Sequence, residues 1–152
     1  WRLVLPPENN VSLEEFHKMQ RYFAGGYDVI IGSRVAPYAE IRPELHIGAR
    51  LFRMVHNLLI RIFVLRGVHD TESGIFCISE NVARDVLPMC KINSAGGVAE
   101  IFALSKRLGY KVKEAPIFWV NNGKFKFGQY FESMRDVARW MWLTVNNSYN
   151  KK

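Results

Sequence analysis

The segment ELHIGARLFRMVHNLLIRIFVLRG, residues 44–67, limits the possible folds of this chain more than any other stretch. Placed on a helix at about 100° per residue, four of its polar side chains form a stripe within roughly 80°, and most of the remaining circumference is apolar. The stripe consists of Arg50, Arg53, Asn57 and Arg61. Two interpretations of a helix over residues 45–66 remain open. It is either a core helix buried on two sides with one hydrated stripe, or a helix lying on a membrane with its arginines among the lipid phosphates.

A second candidate for a membrane-interfacial helix covers residues 129–145, QYFESMRDVARWMWLTV. Its helical spacing predicts one apolar face, which consists of Phe131, Met134, Val137, Ala138 and Met141. Arg135 and Arg139 accompany Trp140 and Trp142 in this segment, and tryptophan is typical of the boundary between water and lipid. Packing of the same helix on the domain is an equally allowed interpretation.

The rest of the chain alternates short helices and strands, which predicts a single α/β domain. Strands are predicted for YDVIIGSR, GIFCIS and YKVKEAPIFWV, the last with Pro116 at an edge or bulge. The first strand delivers Ser33 and Arg34 to a loop that continues to Pro43. Helices are predicted for SLEEFHKMQRYF, for the residues from a Ser79 cap to about Leu87, and for GGVAEIFALSKRLG.

The charge of the chain favours anionic partners. Lys and Arg number 21 against 14 Asp and Glu, a formal charge of +7, which suits phosphates, acidic lipid heads or nucleic acid. A hydrophobic content of 49% excludes a disordered chain, and the sequence has no uncharged apolar run of about 18 residues that predicts a membrane-spanning helix. It also lacks an RNA-recognition or KH signature, so we predict no nucleic-acid partner.

Four strings of the sequence, YDVIIGSR, DTESGIF, GVAEIFALSKRLGYKVKEAPIFW and GKFK, resemble in order and spacing the C-terminal part of family 2 glycosyltransferases. The similarity is to the branch of dolichyl-phosphate mannose and glucose synthases and their bacterial polyprenyl-phosphate relatives, and it runs from about Leu13 to Lys126. It implies a partial GT-A fold, an α/β sandwich with a mixed sheet flanked by helices. Residues 1–152 would then be the acceptor-side part of one domain, with the nucleotide-binding half before Trp1.

The function implied by this resemblance is an inverting transfer of a hexose from a nucleotide sugar, UDP- or GDP-hexose, to a polyprenyl phosphate. The resemblance also implies a Mg²⁺ or Mn²⁺ ion and a peripheral location at the cytosolic face of the endoplasmic reticulum or of the bacterial inner membrane. Pro6, Pro7 and Glu8 occupy the position of the metal-binding Asp-x-Asp motif of the family, and only Glu8 has a carboxylate for a metal. The alternative function is therefore a catalytically inactive glycosyltransferase-like module that binds lipid phosphate or a partner.

Two acidic residues have catalytic roles in the resemblance. Asp70, in DTESG, would lie between donor and acceptor and orient a cation or accept a hydrogen bond, or act as general base if the acceptor were a hydroxyl. Glu100, in GVAEI, matches an acidic position on a helix that faces the site. The residues alone also allow Asp70 to cap a turn, and Glu100 to form an ion pair with Lys106 or Arg107.

Six basic residues are candidates for binding the donor or acceptor phosphates, because two phosphate-bearing reactants repel each other and need cations between them. They are Arg34, Arg42, Arg50, Arg53, Lys124 and Lys126. Arg34 resembles the family arginine near the phosphates, and its alternative is a surface ion pair of a loop residue. The next three are candidates for the acceptor phosphate. Lys124 and Lys126 resemble a late basic segment that closes over the donor, and their alternative is a solvated basic turn.

Overall fold

The computed structural model describes residues 1–6, 10–44, 47–63, 67–71, 73–94, 96–120, 127–146 and 149. A mixed sheet of four strands runs through this part of the chain. In chain order the strands are β1 (Arg2–Val4), β2 (Val29–Ser33), β3 (Glu40–Arg42), β4 (Phe76–Ile78), β5 (Val112–Pro116) and β6 (Phe118–Val120). The order across the sheet is β1-β4-β2-β5. Strand β4 is antiparallel to both neighbours, and β2 is parallel to β5. The predicted α/β class with a mixed sheet and flanking helices is confirmed.

The helices are α1 (Glu14–Gln20), α2 (Ile47–Phe63), α3 (Glu80–Asp85), α4 (Gly97–Arg107) and α5 (Phe127–Val145). The predicted Ser79 cap of α3 is confirmed, since its hydroxyl accepts a hydrogen bond from the N–H group of Val82 at 3.3 Å. Helix α3 ends at Asp85, earlier than predicted, and a short 3₁₀ turn over Leu87–Met89 follows. Glycine at position 109 has φ +84°, the conformation that favours glycine directly after a helix.

A second sheet of two parallel strands, β3 and β6, corrects two predictions. The loop predicted to continue to Pro43 contains strand β3. The single strand predicted for YKVKEAPIFWV is two strands that separate at Ile117, because β5 pairs with β2 whereas β6 pairs with β3. Both corrections concern three-residue strands, which are too short to show an alternating pattern.

The core lies on both faces of the four-stranded sheet. Val29 and Ile31 of β2 belong to one buried cluster, which includes residues of α3 and α4. Ile30, between them, belongs to a cluster on the other face with Met19 of α1. Alternate side chains of a strand point to opposite faces, so a strand with every residue buried is covered on both sides.

The close packing around Gly32 leads to a first prediction. A Cβ atom at this position would lie 2.6 Å from Cγ2 of Ile75 and 3.0 Å from Cγ2 of Ile117. We therefore expect Gly32→Ala to lower the free energy of unfolding by about 1–3 kcal/mol, the usual cost of overpacking a filled core. Urea denaturation measures this difference. The control is Gly48→Ala on α2, where a Cβ meets nothing within 4 Å; an equal loss in both variants would contradict the prediction.

Helix α2 turns two residues of its polar stripe, Arg53 and Asn57, toward the domain, whereas Arg50 of the stripe is exposed. Asn57 is buried and Arg53 is partly buried, on the same side as His56 and Ile60. The opposite arc, about 100° wide, is exposed to solvent. This apolar arc of α2 consists of Ile47, Leu51, Met54, Val55, Leu58 and Ile62. In the described residues the apolar arc of α2 is exposed, which does not match the interpretation of α2 as a core helix buried on two sides.

Helix α5 also exposes apolar side chains. This apolar arc of α5 consists of Phe131, Met134, Met141, Trp142 and Val145. Val137, predicted to share that face, is instead buried with Ile60 of α2 and Ala99 of α4, so that α2 and α5 pack together. Within the described residue ranges, no helix is long and apolar enough to cross a bilayer.

Candidate functional site

Arg34 and Asp70, two of the predicted site residues, form a buried ion pair. The Nε–H group of Arg34 donates to Oδ2 of Asp70 at 2.8 Å, and the Nη2–H group donates to Oδ1 at 2.7 Å. The backbone N–H group of Arg34 also donates to Oδ2, at 2.8 Å. Asp70 is fully buried and the Arg34 side chain is 11% exposed. Because such bidentate pairs constrain both distance and plane, Asp70 fixes the orientation of the Arg34 guanidinium.

The end of β2 brings Arg34 to this position. Ser33, the last residue of the strand, is buried, and its hydroxyl accepts hydrogen bonds from the N–H groups of Val35 at 3.3 Å and Ala36 at 3.1 Å. Serine side chains that bond the following backbone favour a turn. Arg34 therefore lies at the start of a fixed turn, directly after a fully buried strand.

Asp70 lies in the irregular stretch between α2 and β4, of which residues 67–71 and 73–75 are described, and side-chain hydrogen bonds connect this stretch to both α2 and β2. The hydroxyl of Thr71 donates to Oδ1 of Asn57 on α2 at 3.0 Å, in a buried contact. The hydroxyl of Ser73 donates to the carbonyl oxygen of Gly32 in β2. The segment that carries Asp70 is thus connected to α2 on one side and to the end of β2 on the other.

The pKa of Asp70 is lowered from its ordinary value. Burial acts in the opposite direction and would raise it, but the charge and hydrogen bonds of Arg34, together with the charge of Arg53, outweigh the burial. Asp70 is therefore an anion that accepts hydrogen bonds from three N–H groups of Arg34. These properties suit a residue that orients a cation and do not suit a general base, whose pKa should lie near the working pH.

Two residues that the sequence did not single out complete the surroundings of the pair. The guanidinium carbon of Arg34 lies 5.0 Å from the ring centroid of Trp119, a cation–π distance. Glu114 of β5 accepts the backbone N–H groups of His69 at 3.1 Å and Asp70 at 2.8 Å through Oε1. A glutamate in the middle of a predicted strand was the available signal for a partly buried acceptor.

The other arginine candidates fall into different environments. Arg53, on the inner side of α2, is close enough for its charge to lower the pKa of Asp70. Arg50 is exposed on the same helix. Arg42 ends β3 and forms an exposed ion pair with Glu40 at 3.0 Å. The structure therefore brings Arg34, Arg53 and Asp70 together and gives Arg42 an acidic partner of its own.

Glu100 is buried in the first turn of α4, where it accepts hydrogen bonds from the chain itself. Its carboxylate accepts the backbone N–H groups of Lys91 at 3.0 Å and Ile92 at 2.9 Å, and also the hydroxyl of Tyr149. Burial and this hydrogen bond raise the pKa of Tyr149. These contacts account for a buried carboxylate that holds the loop before α4 in place, and the catalytic role of Glu100 stays a prediction.

Three candidates, Glu8, Lys124 and Lys126, lie outside the described residues. Within the described ranges, no group of three or more His, Cys, Asp or Glu side chains is arranged to hold a metal ion. We therefore assign no ligand for Mg²⁺ or Mn²⁺ to the part of the chain that the structure covers.

Neither a family model nor a curated protein matches the sequence of this chain. The relation to family 2 glycosyltransferases therefore stays a proposal that depends on the quoted motifs.

Proposed function

We propose that this chain is the acceptor-side part of a GT-A glycosyltransferase that moves a hexose from a nucleotide sugar to a polyprenyl phosphate at the cytosolic face of a membrane. The observation that carries the proposal is the position of the Arg34–Asp70 pair beside α2, which has a polar inner side and an apolar outer arc. A helix with side chains is about 10–12 Å across. A bilayer that contacts the outer arc would thus lie about one helix diameter from Arg53 on the inner side.

The described contacts favour an anionic acceptor. In the proposed reaction a phosphate oxygen of the lipid attacks the anomeric carbon of the hexose, and the bond to the nucleoside diphosphate breaks with its electrons leaving on the diphosphate. The attacking oxygen carries no proton, so no general base is needed. Asp70, with its lowered pKa and its accepted N–H groups, fits this reaction better than attack by a hydroxyl.

The role of the arginines in this proposal is electrostatic. Two reactants that carry phosphate groups repel each other, and fixed cations between them stabilise the bound pair and the developing charge of the leaving diphosphate. Arg34 is held in one orientation by Asp70 and Trp119, so little reorganisation is needed when the reactants bind. A Mg²⁺ or Mn²⁺ ion, where bound, would supply further neutralisation of the diphosphate.

A second candidate function is a module that binds lipid phosphate at a membrane without chemistry. The structure favours it in one respect: both carboxylate oxygens of Asp70 accept hydrogen bonds from Arg34, and Asp70 has no exposed surface. The sequence Pro6-Pro7-Glu8 at the expected metal motif also favours a module without chemistry, because only Glu8 has a carboxylate for a metal.

One experiment separates the two functions. The full natural polypeptide is incubated with labelled UDP- or GDP-hexose, Mg²⁺ or Mn²⁺, and vesicles that contain polyprenyl phosphate. We expect label in the extracted lipid and an equal amount of released nucleoside diphosphate. Vesicles without polyprenyl phosphate are the control. Vesicle binding without transfer, with either nucleotide, would contradict the glycosyltransferase and favour the binding module.

A further inference from the structure

We propose that Glu114 is a positioning residue, which fixes Asp70 and through it the guanidinium of Arg34; its effect on turnover rests on the function proposed above. Glu114 accepts the backbone N–H groups of His69 and Asp70, and its described hydrogen bonds do not include the carboxylate of Asp70 or the guanidinium of Arg34. Its role is therefore indirect, through the backbone of another residue.

The contacts of Glu114 restrain two consecutive peptide groups. Oε1 accepts the N–H groups of His69 at 3.1 Å and of Asp70 at 2.8 Å. Oε2 lies 2.8 Å from Nδ1 of the His69 ring. Residues 67–71 belong to no helix or strand, so a sheet ladder does not fix these N–H groups. Hydrogen bonds to an ionised acceptor are shorter and stronger than those to a neutral one, and Glu114 supplies them here.

The sheet register connects Glu114 directly to Arg34. Strand β5 is parallel to β2, and Glu114 pairs with Ile31, two residues before the end of β2. Arg34 follows that end immediately. The paired strands β2 and β5 therefore position both partners of the ion pair. Arg34 directly follows β2, and Glu114 of β5 accepts a hydrogen bond from the backbone N–H group of Asp70. A displacement of Asp70 would break the bidentate geometry, because that geometry depends on both oxygens.

The positioning of Arg34 can be measured without any assay of activity. The measured quantity is the rate at which the Arg34 Nε–H proton exchanges with water, by ¹⁵N NMR on the full chain. The signal is assigned by its loss in Arg34→Lys. We expect the proton to be protected in the wild type and to exchange about tenfold faster in Glu114→Ala, because the amides of residues 69 and 70 lose their acceptor. Glu114→Leu, which fills the space without an acceptor, serves if the alanine variant does not fold. Glu114→Gln keeps a carbonyl oxygen and is expected to restore part of the protection.

Asp136→Ala is the matched control, because Asp136 is a buried carboxylate that, like Glu114, accepts a backbone N–H group, that of Gly96 at 3.0 Å. This variant should lose stability and leave the Arg34 proton protected. Unchanged exchange in a folded alanine or leucine variant at position 114 would overturn the proposal, and so would an equal acceleration in Asp136→Ala.

The same variants are then tested for hexose transfer. We expect Glu114→Leu to lower kcat by about tenfold with a smaller change in KM, since it disturbs the orientation of Arg34 and not the membrane contact. If the wild type transfers no hexose, the proposed function fails, while the exchange measurement still decides the role of Glu114. If transfer occurs and is unchanged in a folded variant with faster Arg34 exchange, positioning by Glu114 has no part in turnover, and that part of the proposal is rejected.

Discussion

Arg34→Met is expected to lower the free energy of unfolding by about 3–5 kcal/mol, because it leaves the carboxylate of Asp70 buried without its cation. Asp70 is fully buried, so water does not replace the lost partner. Methionine keeps an unbranched apolar side chain that can fill the space beside Trp119. Urea denaturation followed by circular dichroism measures the loss. Hexose transfer should fall below detection in the same variant, since the oriented guanidinium is gone.

The loss of stability and the loss of function are separated by a double-mutant cycle. Asp70→Asn is expected to destabilise the chain as well, because it leaves a largely buried Arg34 without a negative partner. The double variant Arg34→Met/Asp70→Asn should cost less than the two single losses together, with a coupling energy of about 1–3 kcal/mol. It should still transfer no hexose. Additive single losses would show that the pair is absent in solution, and wild-type transfer in any of the three variants would reject the role given to Arg34.

The pH dependence of stability gives an independent check on the pair. The folded pKa of Asp70 is lowered, so its contribution to stability is present above the unfolded pKa, about 3.9 for an aspartate, and is lost as pH falls through the folded value. The stability difference between the wild type and Asp70→Asn should therefore be largest near neutral pH and should shrink below about pH 4. A difference that grows toward acid would contradict the lowered pKa.

The sequence predicted the longer elements and missed the short ones. Helix α4 and strand β2 have clear apolar patterns and clear ends, and both are confirmed. Strand β3 (Glu40–Arg42) is three residues long and pairs with a strand far along the chain, so its own residues carry no signal for it. The separation of β5 from β6 at Ile117 has the same cause, because pairing partners and not local propensity decide where a strand changes sheets.

The candidate site was predicted in part. The motifs singled out Arg34 and Asp70, which are 36 residues apart in sequence and form an ion pair. They did not indicate that the pair is buried; of the roles predicted for Asp70, orienting a cation fits this burial, and direct contact with the reactants does not. The helical pattern of α2 defined its two sides, but periodicity does not say which side faces the domain. The buried hydrogen bond between Asn57 and Thr71 decides that question.

The apolar arcs of α2 and α5 lead to the last prediction, which concerns membrane binding. Leu58 is 50% exposed at the centre of the α2 arc. We expect Leu58→Glu to lower partitioning onto vesicles of phosphatidylcholine and phosphatidylglycerol by about tenfold or more, because it removes apolar area from the lipid contact and places a negative charge against anionic lipid. Trp142→Glu tests the α5 arc in the same way. Leucine and glutamate have similar helix propensities, so the helix itself should persist.

Leu108→Glu is the matched control, because Leu108 follows α4 and is 47% exposed, outside both arcs. It should leave vesicle binding unchanged, as measured by flotation.

The stability of Leu58→Glu then distinguishes lipid from protein as the partner of the apolar arc of α2. A residue that meets lipid only in the bound state should leave the free energy of unfolding in solution unchanged. If Leu58→Glu floats like the wild type and instead dissociates a dimer in sedimentation experiments, the arc contacts a second copy of the chain, and the link between the Arg34–Asp70 pair and a membrane is lost.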